Sequence, residues 1–315
     1  MRKKSIFIMF LLSLNFTLFA ETIKVIVPSG LPAMSIAKMI KDNKEVSGNK
    51  MQYEIEKNND ALVVSMLKRE GDIAIVPSNF AAQLYNKGLK YKILGTVGWG
   101  SFYIASSHNL TNIKDLKGKE IYTFGKGLTP GIVLTTILKM NGLNVPKDVD
   151  IEYVNNGNEL GALYLAKKVD FMSIPEPMLS TILFKDKGLK IDFDLNEIWK
   201  ETTGAEWGYP QSTLIVKEEL LRKDPAFVKK FIEKLEKSID FLYSKQPDKA
   251  SYIDGLNIMI NTNILEAILL KSNLDFVSID ECKNDYNIYF KVLESNNKKV
   301  IGGRLPDEKI FANIK

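Results

Sequence analysis

The chain is poor in the residues that build most catalytic and metal-binding sites. Its 315 residues include a single cysteine, Cys282, and a single histidine, His108. One cysteine excludes an internal disulfide and a cysteine-based metal cluster, and one histidine removes most metal-binding and acid–base arrangements. We therefore expect a protein without catalytic residues, without a metal ion and without a cofactor.

The sequence also lacks a strong excess of either charge. It contains 43 Lys and Arg residues against 38 Asp and Glu residues. Three of the basic residues lie within the first twenty positions, which leaves 40 basic against 38 acidic residues in the remainder. Binding to nucleic acid requires a basic stripe, and basic and acidic residues are interspersed here. We expect no nucleic-acid partner.

Long apolar runs are absent except at the start of the chain. Residues 6–19 are predominantly apolar and follow Arg2, Lys3 and Lys4, and the small residue Ala20 precedes Glu21. This is the pattern of a secretory signal peptide, and the run is too short to span a bilayer comfortably. We predict that residues 1–20 are cleaved and that the mature protein is exported, without stable membrane insertion. The alternative is an uncleaved N-terminal anchor.

Short apolar strands alternate with helical segments through the rest of the chain. This alternation is typical of α/β lobes built around mostly parallel sheets. The pattern restarts near residue 109, and a strand-like segment near residue 212 can return the chain to the first lobe. We predict a discontinuous lobe 1 (residues 21–105 and 212–315) and a lobe 2 (residues 106–211). Two crossing strands would join the lobes, with a ligand cleft and a hinge between them.

The strongest single helix signal lies in residues 224–250. Asp224 suits the N-cap and Pro225 the first turn. Apolar residues then recur every three or four positions and should form one buried face. These residues are Phe227, Phe231, Leu235, Ile239 and Leu242.

Three segments resemble one protein family in order and spacing. They are residues 113–154, residues 159–177 with the sequence PEP at their end, and residues 217–250 followed by IGGRLPDE at 301–308. The chain is similar to the periplasmic substrate-binding proteins of nitrate/taurine/sulfonate and thiamine-precursor (NMT1/THI5-like) ABC importers. The resemblance implies a type II periplasmic-binding-protein fold. It also implies a periplasmic monomer that captures a small-molecule ligand and delivers it to an ABC permease with its ATPase subunits.

In such a fold, ligands lie where strands end and helices begin, because free backbone N–H groups and helix dipoles point there. Four candidate ligand-binding residues follow the first and third predicted strands: Ser29, Gly30, Ser78 and Asn79. The alternative role of each serine is to cap its own helix.

Residues 125–131 (GKGLTPG) form another strand-to-helix junction, but they are not a nucleotide-binding loop. A Walker loop needs a lysine and a Ser or Thr directly after its last glycine, and Gly131 is followed by Ile132. We expect Gly127 and Thr129 to contact a polar or anionic ligand. The alternative is that Gly127 only permits a tight turn and Thr129 only caps the helix.

Aromatic residues precede both predicted crossings. Trp99 lies between two glycines before the first, and Trp207 and Tyr209 lie before the second. We expect all three to face the cleft, where a ring can lie flat against a ligand; the alternative for Trp99 is a core anchor of the hinge. Phe80 and Tyr122 extend this aromatic wall or pack in the core.

Glu176, between two prolines, is the candidate carboxylate of the cleft. It would bind an amine or amidine of the ligand, or it would favour the N-terminus of the helix that follows. The aromatic residues and Glu176 favour a flat nitrogenous ligand such as a thiamine-type pyrimidine. The turn around Thr129 favours a sulfonate or another organic anion. The sequence leaves both ligand classes open.

The expected mechanism is closure of the two lobes on the solute, without chemical change. Two alternative functions remain. One is an exported solute sensor that feeds a receptor. The other is an enzyme on the same fold, against which the export signal and the polar loop around His108 both argue.

Overall fold

The computed structural model describes residues 21–256, 258 and 260–313. The predicted signal peptide lies outside the described residues. The described chain forms two α/β lobes, each built on one β-sheet. No helix in this part of the chain is both long enough and apolar enough to cross a membrane.

The larger lobe is built on a seven-stranded sheet with the order β12-β5-β11-β4-β1-β3-β2. Residues from both ends of the chain contribute to it. Its strands are β1 (Thr22–Pro28), β2 (Glu45–Val46), β3 (Asn49–Glu56), β4 (Ile73–Pro77), β5 (Tyr91–Trp99), β11 (Pro210–Lys217) and β12 (Leu274–Ser278).

The smaller lobe is built on a five-stranded sheet with the order β10-β6-β9-β7-β8. The middle of the chain supplies all of it. Its strands are β6 (Phe102–Ser106), β7 (Glu120–Phe124), β8 (Asp150–Val154), β9 (Phe171–Pro175) and β10 (Lys190–Asp194).

The two sheets repeat one arrangement. In each, a central strand pairs in parallel with two neighbours: β1 with β3 and β4, and β7 with β8 and β9. The remaining pairings are antiparallel. The expectation of mostly parallel sheets is therefore wrong, because the strands next to the crossings run against the parallel core of each lobe.

The chain passes between the lobes twice. It leaves the larger sheet after Trp99 and enters the smaller one at Phe102, and it returns at Pro210, which pairs with Trp99. The predicted boundary at residues 105 and 106 is a few residues too late, because β6 pairs with β9 and β10. Residues 210–211, predicted in lobe 2, belong to β11. Only two residues, Gly100 and Ser101, separate β5 from β6. The sequence therefore contains no loop-like segment that would show where the chain passes from one sheet to the other.

Helices cover the sheets. They are α1 (Leu31–Ser35), α2 (Ala37–Asp42), α3 (Asn59–Leu67), α4 (Ser78–Asn86), α5 (Thr129–Met140), α6 (Gly157–Leu165), α7 (Met178–Lys185), α8 (Leu195–Thr203), α9 (Glu218–Lys223), α10 (Pro225–Tyr243), α11 (Lys249–Ile253), α12 (Leu265–Leu269) and α13 (Ile279–Asn297). Short 3-10 helices span Ile113–Leu116, Thr262–Ile264, Lys298–Ile301 and Glu308–Ile310.

Helix α10 confirms the predicted cap and apolar face, but it ends at Tyr243 and not at residue 250 as predicted. The Asp224 side chain accepts a hydrogen bond from the Phe227 N–H at 2.9 Å, and Pro225 is the first helical residue. The five residues of the predicted apolar face are all buried against the larger sheet. The face is buried because a 3.6-residue period brings every third or fourth side chain to the same side.

Helix α13 belongs to the larger lobe but also packs against the smaller one. Its Tyr289 ring lies 6.3 Å from the ring of Trp199 on α8, and the Tyr289 hydroxyl donates to the Thr129 Oγ1 at 3.2 Å. The Asn297 Nδ2 donates to the Gly127 carbonyl at 2.9 Å. One apolar cluster therefore runs through both lobes on this side of the molecule.

Candidate functional site

A cavity of about 1050 Å³ lies between the two lobes. Its wall includes the last residue of two strands from each sheet: Pro28 of β1 and Pro77 of β4 in the larger lobe, and Phe124 of β7 and Pro175 of β9 in the smaller lobe. The carboxyl ends of the parallel strands therefore face one another across the cleft. This is where open α/β sheets bind their ligands.

Helices α4 and α5 are among the helices that begin at this cavity without a capping hydrogen bond from the N-cap side chain. Helix α4 follows Pro77 and helix α5 follows Leu128, and neither of these N-cap side chains accepts a hydrogen bond. Their first backbone N–H groups have no partner within the helix. Together with the positive end of each helix dipole, they favour a negatively charged or hydrogen-bond-accepting group in the cavity.

The structure brings six of the predicted ligand-binding residues to the cavity wall. They come from both lobes and from the first crossing, and they are Ser29, Gly30, Asn79, Trp99, Thr129 and Glu176. Phe80 also lines the cavity. The sequence located these residues because each stands at the end of an apolar strand or at the start of a helix.

Two of these residues carry buried polar atoms that lack a partner among the described residues. They are the Ser29 hydroxyl and the Trp99 indole N–H. Buried polar atoms in native proteins nearly always have a hydrogen-bond partner. Both atoms are shielded from solvent, so a ligand group or water reaches them only when the side chain turns towards the cavity. Both atoms can donate a hydrogen bond.

Glu176 lies in the wall but is directed towards its own helix and the opposite lobe. Its carboxylate accepts hydrogen bonds from the Ser180 hydroxyl at 2.7 Å and the Ser180 N–H at 3.4 Å. The Lys271 ammonium of the larger lobe lies 3.9 Å away. Burial raises the pKa of Glu176 to about 7, against the opposing effects of Ser180 and Lys271. Near neutral pH this carboxyl is therefore protonated to a greater extent than an ordinary glutamate.

Four predicted site residues lie outside the cavity wall. Ser78 is fully buried and its hydroxyl is hydrogen-bonded to the Thr213 hydroxyl, so it belongs to the core. Tyr209 is 1% exposed and packs in the hinge, with its ring against Gly100. Trp207 lies behind Trp99, with ring centroids 6.1 Å apart and an interplanar angle of 25°. Gly127 has a φ of +67° and supports the turn before α5.

Two further expectations about roles are corrected. Thr129 does not cap α5: it is the first helical residue, and its hydroxyl is joined to Tyr289 instead. Tyr122 does not join the aromatic wall of the cleft. It packs against the apolar cluster of the smaller lobe, as its alternative role required, and lines a separate surface pocket where His108 stacks on Phe171 at 4.9 Å. Cys282 is buried, and burial raises the pKa of its thiol to about 12.

Sequence reasoning missed several residues of the wall. Gln211 and Ser101 lie on the two crossings and join them: the Ser101 N–H donates to the Gln211 Oε1 at 3.0 Å. Tyr289 reaches the cavity from α13, far away in the chain. A signal existed for Gln211, a polar residue at the start of a crossing strand. No sequence signal indicated Tyr289, because its position at the cavity depends on how α13 packs against the smaller lobe.

Residues 267–273, which precede β12, also contact the first crossing and the smaller lobe. The Asn273 Nδ2 donates to the Gly100 carbonyl at 2.6 Å, and the Tyr103 hydroxyl donates to the Lys271 carbonyl at 2.8 Å. The Ser180 hydroxyl lies 3.2 Å from the Ala267 carbonyl of the larger lobe. The Tyr103 and Ser180 bonds join the two lobes, so a hinge movement would break or rearrange them.

Comparison with known proteins supports the fold. An ABC transporter protein from Parabacteroides distasonis is 26% identical, with a TM-score of 0.79 over 93% of this chain and 99% of that chain. The periplasmic aliphatic sulphonate binding protein SsuA from Escherichia coli is 13% identical, with a TM-score of 0.74 over 94% of each chain. The alkanesulfonate-binding protein SsuA from Xanthomonas axonopodis pv. citri, solved with bound MOPS, is 17% identical, with a TM-score of 0.62 over 90% of this chain and 97% of that chain.

No curated protein sequence matches the chain. The predicted fold, two α/β lobes of the periplasmic-binding-protein type with a cleft between them, is confirmed by these structures. The model of the family described as NMT1/THI5 like matches residues 72–250, more than half of the chain. The chain therefore belongs to the NMT1/THI5-like family, as its sequence predicted.

Proposed function

We propose that the protein is the periplasmic solute-binding component of an ABC importer. It captures a small molecule between its lobes and delivers it, chemically unchanged, to a permease whose ATPase subunits supply the energy. The family assignment and the likeness to an ABC transporter protein from Parabacteroides distasonis support this function. The observation that carries it is the cavity of about 1050 Å³ enclosed by strand ends of both lobes.

The wall of this cavity favours a solute with an anionic group. Uncapped N-termini of α4 and α5 and the unpaired Ser29 hydroxyl and Trp99 N–H all offer hydrogen-bond donors. Glu176 is the only acidic residue among the described residues of the wall, and its pKa of about 7 reduces its negative charge. A sulfonate or carboxylate would therefore meet donors on several sides and little repulsion.

A flat nitrogenous solute, such as a thiamine-type pyrimidine, is the second candidate. Three aromatic side chains of the wall favour it: Trp99, Phe102 and Phe124, of which the last two lie with ring centroids 5.9 Å apart. A ring nitrogen could hydrogen-bond to Glu176 in either protonation state.

Closure of the lobes would couple solute capture to recognition by the permease. A solute that contacts both walls binds the closed arrangement more tightly than the open one. It shifts the equilibrium towards the closed arrangement by an amount set by this difference in affinity. Contacts between the lobes, such as the Tyr103 hydroxyl with the Lys271 carbonyl and the Ser180 hydroxyl with the Ala267 carbonyl, would be kept in that state and broken on opening.

The test is to identify what the purified protein binds. Mass spectrometry of solutes released on denaturation should find a small organic anion, and a thermal-shift series should raise the melting temperature with sulfonates or carboxylates more than with pyrimidines. Small-angle scattering should show a smaller radius of gyration with the same ligand. Stabilisation by pyrimidines alone would favour the second candidate, and conversion of any bound solute would contradict a binding role.

A further inference from the structure

Helix α13 contacts the smaller lobe along one side of its surface. Asp285, Tyr289 and Asn296 are separated by four and seven residues, so their side chains lie on the same side of the helix. All three bind residues of the smaller lobe, although α13 itself follows β12 of the larger sheet. This line of contacts covers about 17 Å of the helix at 1.5 Å per residue.

Asp285 holds the turn that leads into the second crossing. Its side chain is buried, and its Oδ1 accepts hydrogen bonds from the N–H groups of Trp207 at 2.9 Å and Gly208 at 3.3 Å. The same turn is bound to α8 of the smaller lobe, since the Asn196 Nδ2 donates to the Trp207 carbonyl at 3.1 Å. If α13 left the smaller lobe, the carboxylate and both N–H groups would lose these partners, which is costly for buried groups.

Tyr289 supplies the apolar part of the contact. The side chains of Tyr289 and Trp199 are both fully buried and belong to the apolar cluster that runs through both lobes. Separating α13 from α8 would therefore expose two aromatic rings to water. The Tyr289 hydroxyl and the Asn297 Nδ2 also donate to Thr129 and Gly127 of the smaller lobe.

Helix α12 lies on the other face of the larger sheet. Side chains of a strand alternate between the two faces of its sheet. On β4, Ala74 and Val76 belong to the cluster that α13 joins, whereas Ile73 and Ile75 belong to the cluster that contains Leu269 of α12. The two lobes are therefore in contact on both faces of the larger sheet.

The contacts of residues 267–271 on that other face are polar. The Tyr103 hydroxyl donates to the Lys271 carbonyl at 2.8 Å, the Ser180 hydroxyl lies 3.2 Å from the Ala267 carbonyl, and the Lys271 ammonium lies 3.9 Å from Glu176. The buried apolar residues of the two lobes form separate clusters here. Such contacts are easier to break than the α13 contact, because water can replace a hydrogen bond but not apolar packing.

We propose that α13 is a third connection between the lobes, beside the two crossings, and that it holds when the cleft opens. Opening then breaks the contacts of residues 267–271 on the opposite face. Asp285 and Tyr289 are the positioning residues of this connection, since they bind the smaller lobe from a helix of the larger one. The inference concerns the movement of the lobes and does not depend on the identity of the solute.

The test measures two distances between spin labels by electron paramagnetic resonance. The first pair spans the connection, with labels on Met140→Cys in α5 and Ser295→Cys in α13. The second pair spans the opposite face, with labels on Phe184→Cys in α7 and Leu270→Cys after α12. All four positions are exposed, and the natural cysteine, Cys282, is buried and should stay unlabelled.

Both pairs are measured in protein refolded without solute, with and without the changes Tyr103→Phe and Ser180→Ala. Loss of these two hydroxyls should raise the fraction of molecules with a long second-pair distance by about tenfold. The first-pair distance should stay short and narrowly distributed in both proteins.

Variants of Asp285 test its positioning role. Asp285→Ala should broaden the first-pair distribution, whereas Asp285→Asn keeps an oxygen that can accept both hydrogen bonds and should leave it narrow. Tyr289→Phe, which keeps the ring and loses only the bond to Thr129, should broaden it less and serves if Asp285→Ala does not fold. A lower free energy of unfolding with an unchanged first-pair distance would reduce Asp285 to a structural role.

The remaining outcomes are equally clear. A first-pair distance that lengthens together with the second would show that α13 leaves the smaller lobe, and would overturn the third connection. If neither distance changes, the contacts of residues 267–271 do not hold the lobes together, and the proposed direction of opening is wrong. Neither result bears on solute binding, which is measured separately.

Discussion

Ser29 and Trp99 lie in the cavity wall, at the ends of β1 and β5. Each presents one buried polar atom without a partner in the described chain, and Ser29 directly follows β1. A buried unpaired donor costs free energy in the empty protein, so a ligand that accepts its hydrogen bond gains in affinity.

Replacing Ser29 should therefore weaken ligand binding without harming the fold. Ser29→Ala removes one unpaired hydroxyl, and we expect affinity for the solute to fall by about tenfold. Isothermal calorimetry measures this. Ser238→Ala is the matched control, because Ser238 also has a buried, unpaired hydroxyl but lies on α10, away from the cavity. Equal affinities for both variants would exclude Ser29 from the site.

Glu176 should make stability depend on pH. Its folded-state pKa of about 7 lies above the ordinary value of 4.5, so the folded protein holds the proton more tightly than the unfolded chain. The stabilisation is complete below pH 4.5 and is lost as the pH rises through 7. We expect the free energy of unfolding to fall by up to about 3 kcal/mol over this range.

Urea unfolding at a series of pH values tests this dependence. Glu176→Gln should flatten the profile between pH 4.5 and 7, because glutamine stays neutral beside Lys271 and Ser180. Glu197→Gln, at an exposed position on α8, is the control and should leave the profile unchanged. If the free energy of unfolding changes with pH equally in Glu176→Gln and in the unchanged protein, another titrating group causes the dependence.

At the scale of elements, the sequence predicts the first residue of a helix only where a single side chain can act as the cap. Asp224 before Pro225 was such a case, and the structure has this cap. Of the three asparagines at positions 155, 156 and 158, the one that caps α6 is Asn156, whose side chain accepts from the Glu159 N–H at 3.0 Å. Several asparagines stand in a row there, so composition does not distinguish them.

The cap of α10 should contribute measurably to stability. Asp224→Ala should lower the free energy of unfolding by about 1 kcal/mol, because the Phe227 N–H loses its partner. Asp248→Ala is the matched control: Asp248 is the N-cap residue of α11 but makes no capping hydrogen bond. Denaturant unfolding compares the two, and equal losses would show that the Asp224 bond is not the cause.

At the scale of the whole molecule, the hinge depends on close packing around the first crossing. Gly100 stands between β5 and β6, and a Cβ there would overlap the ring of Tyr209 and the side chain of Asn196. Tyr209 itself is buried under the second crossing. The two crossings can approach each other only because Gly100 has no side chain.

Gly100→Ala should therefore destabilise the protein, by about 1–3 kcal/mol if the ring shifts to relieve the overlap. Gly98→Ala, two residues earlier, is the control, because its Cβ would meet Leu274 at an ordinary 3.5 Å. Thermal unfolding measures both. A melting temperature for Gly100→Ala equal to that of Gly98→Ala would show that Tyr209 and Asn196 move freely and that the hinge is loosely packed.

The sequence by itself determined the α/β lobes, the cleft between them and six wall residues, because these follow from local patterns: apolar strands, turn residues at their ends and the period of each helix. Only the tertiary structure decided that Tyr209 and Ser78 are core residues, that Tyr289 and Gln211 reach the cavity, and that the wall continues along α6 and α7. Those outcomes depend on contacts between segments distant in the chain. Local patterns carry no information about such contacts, because they are set by how helices and sheets pack.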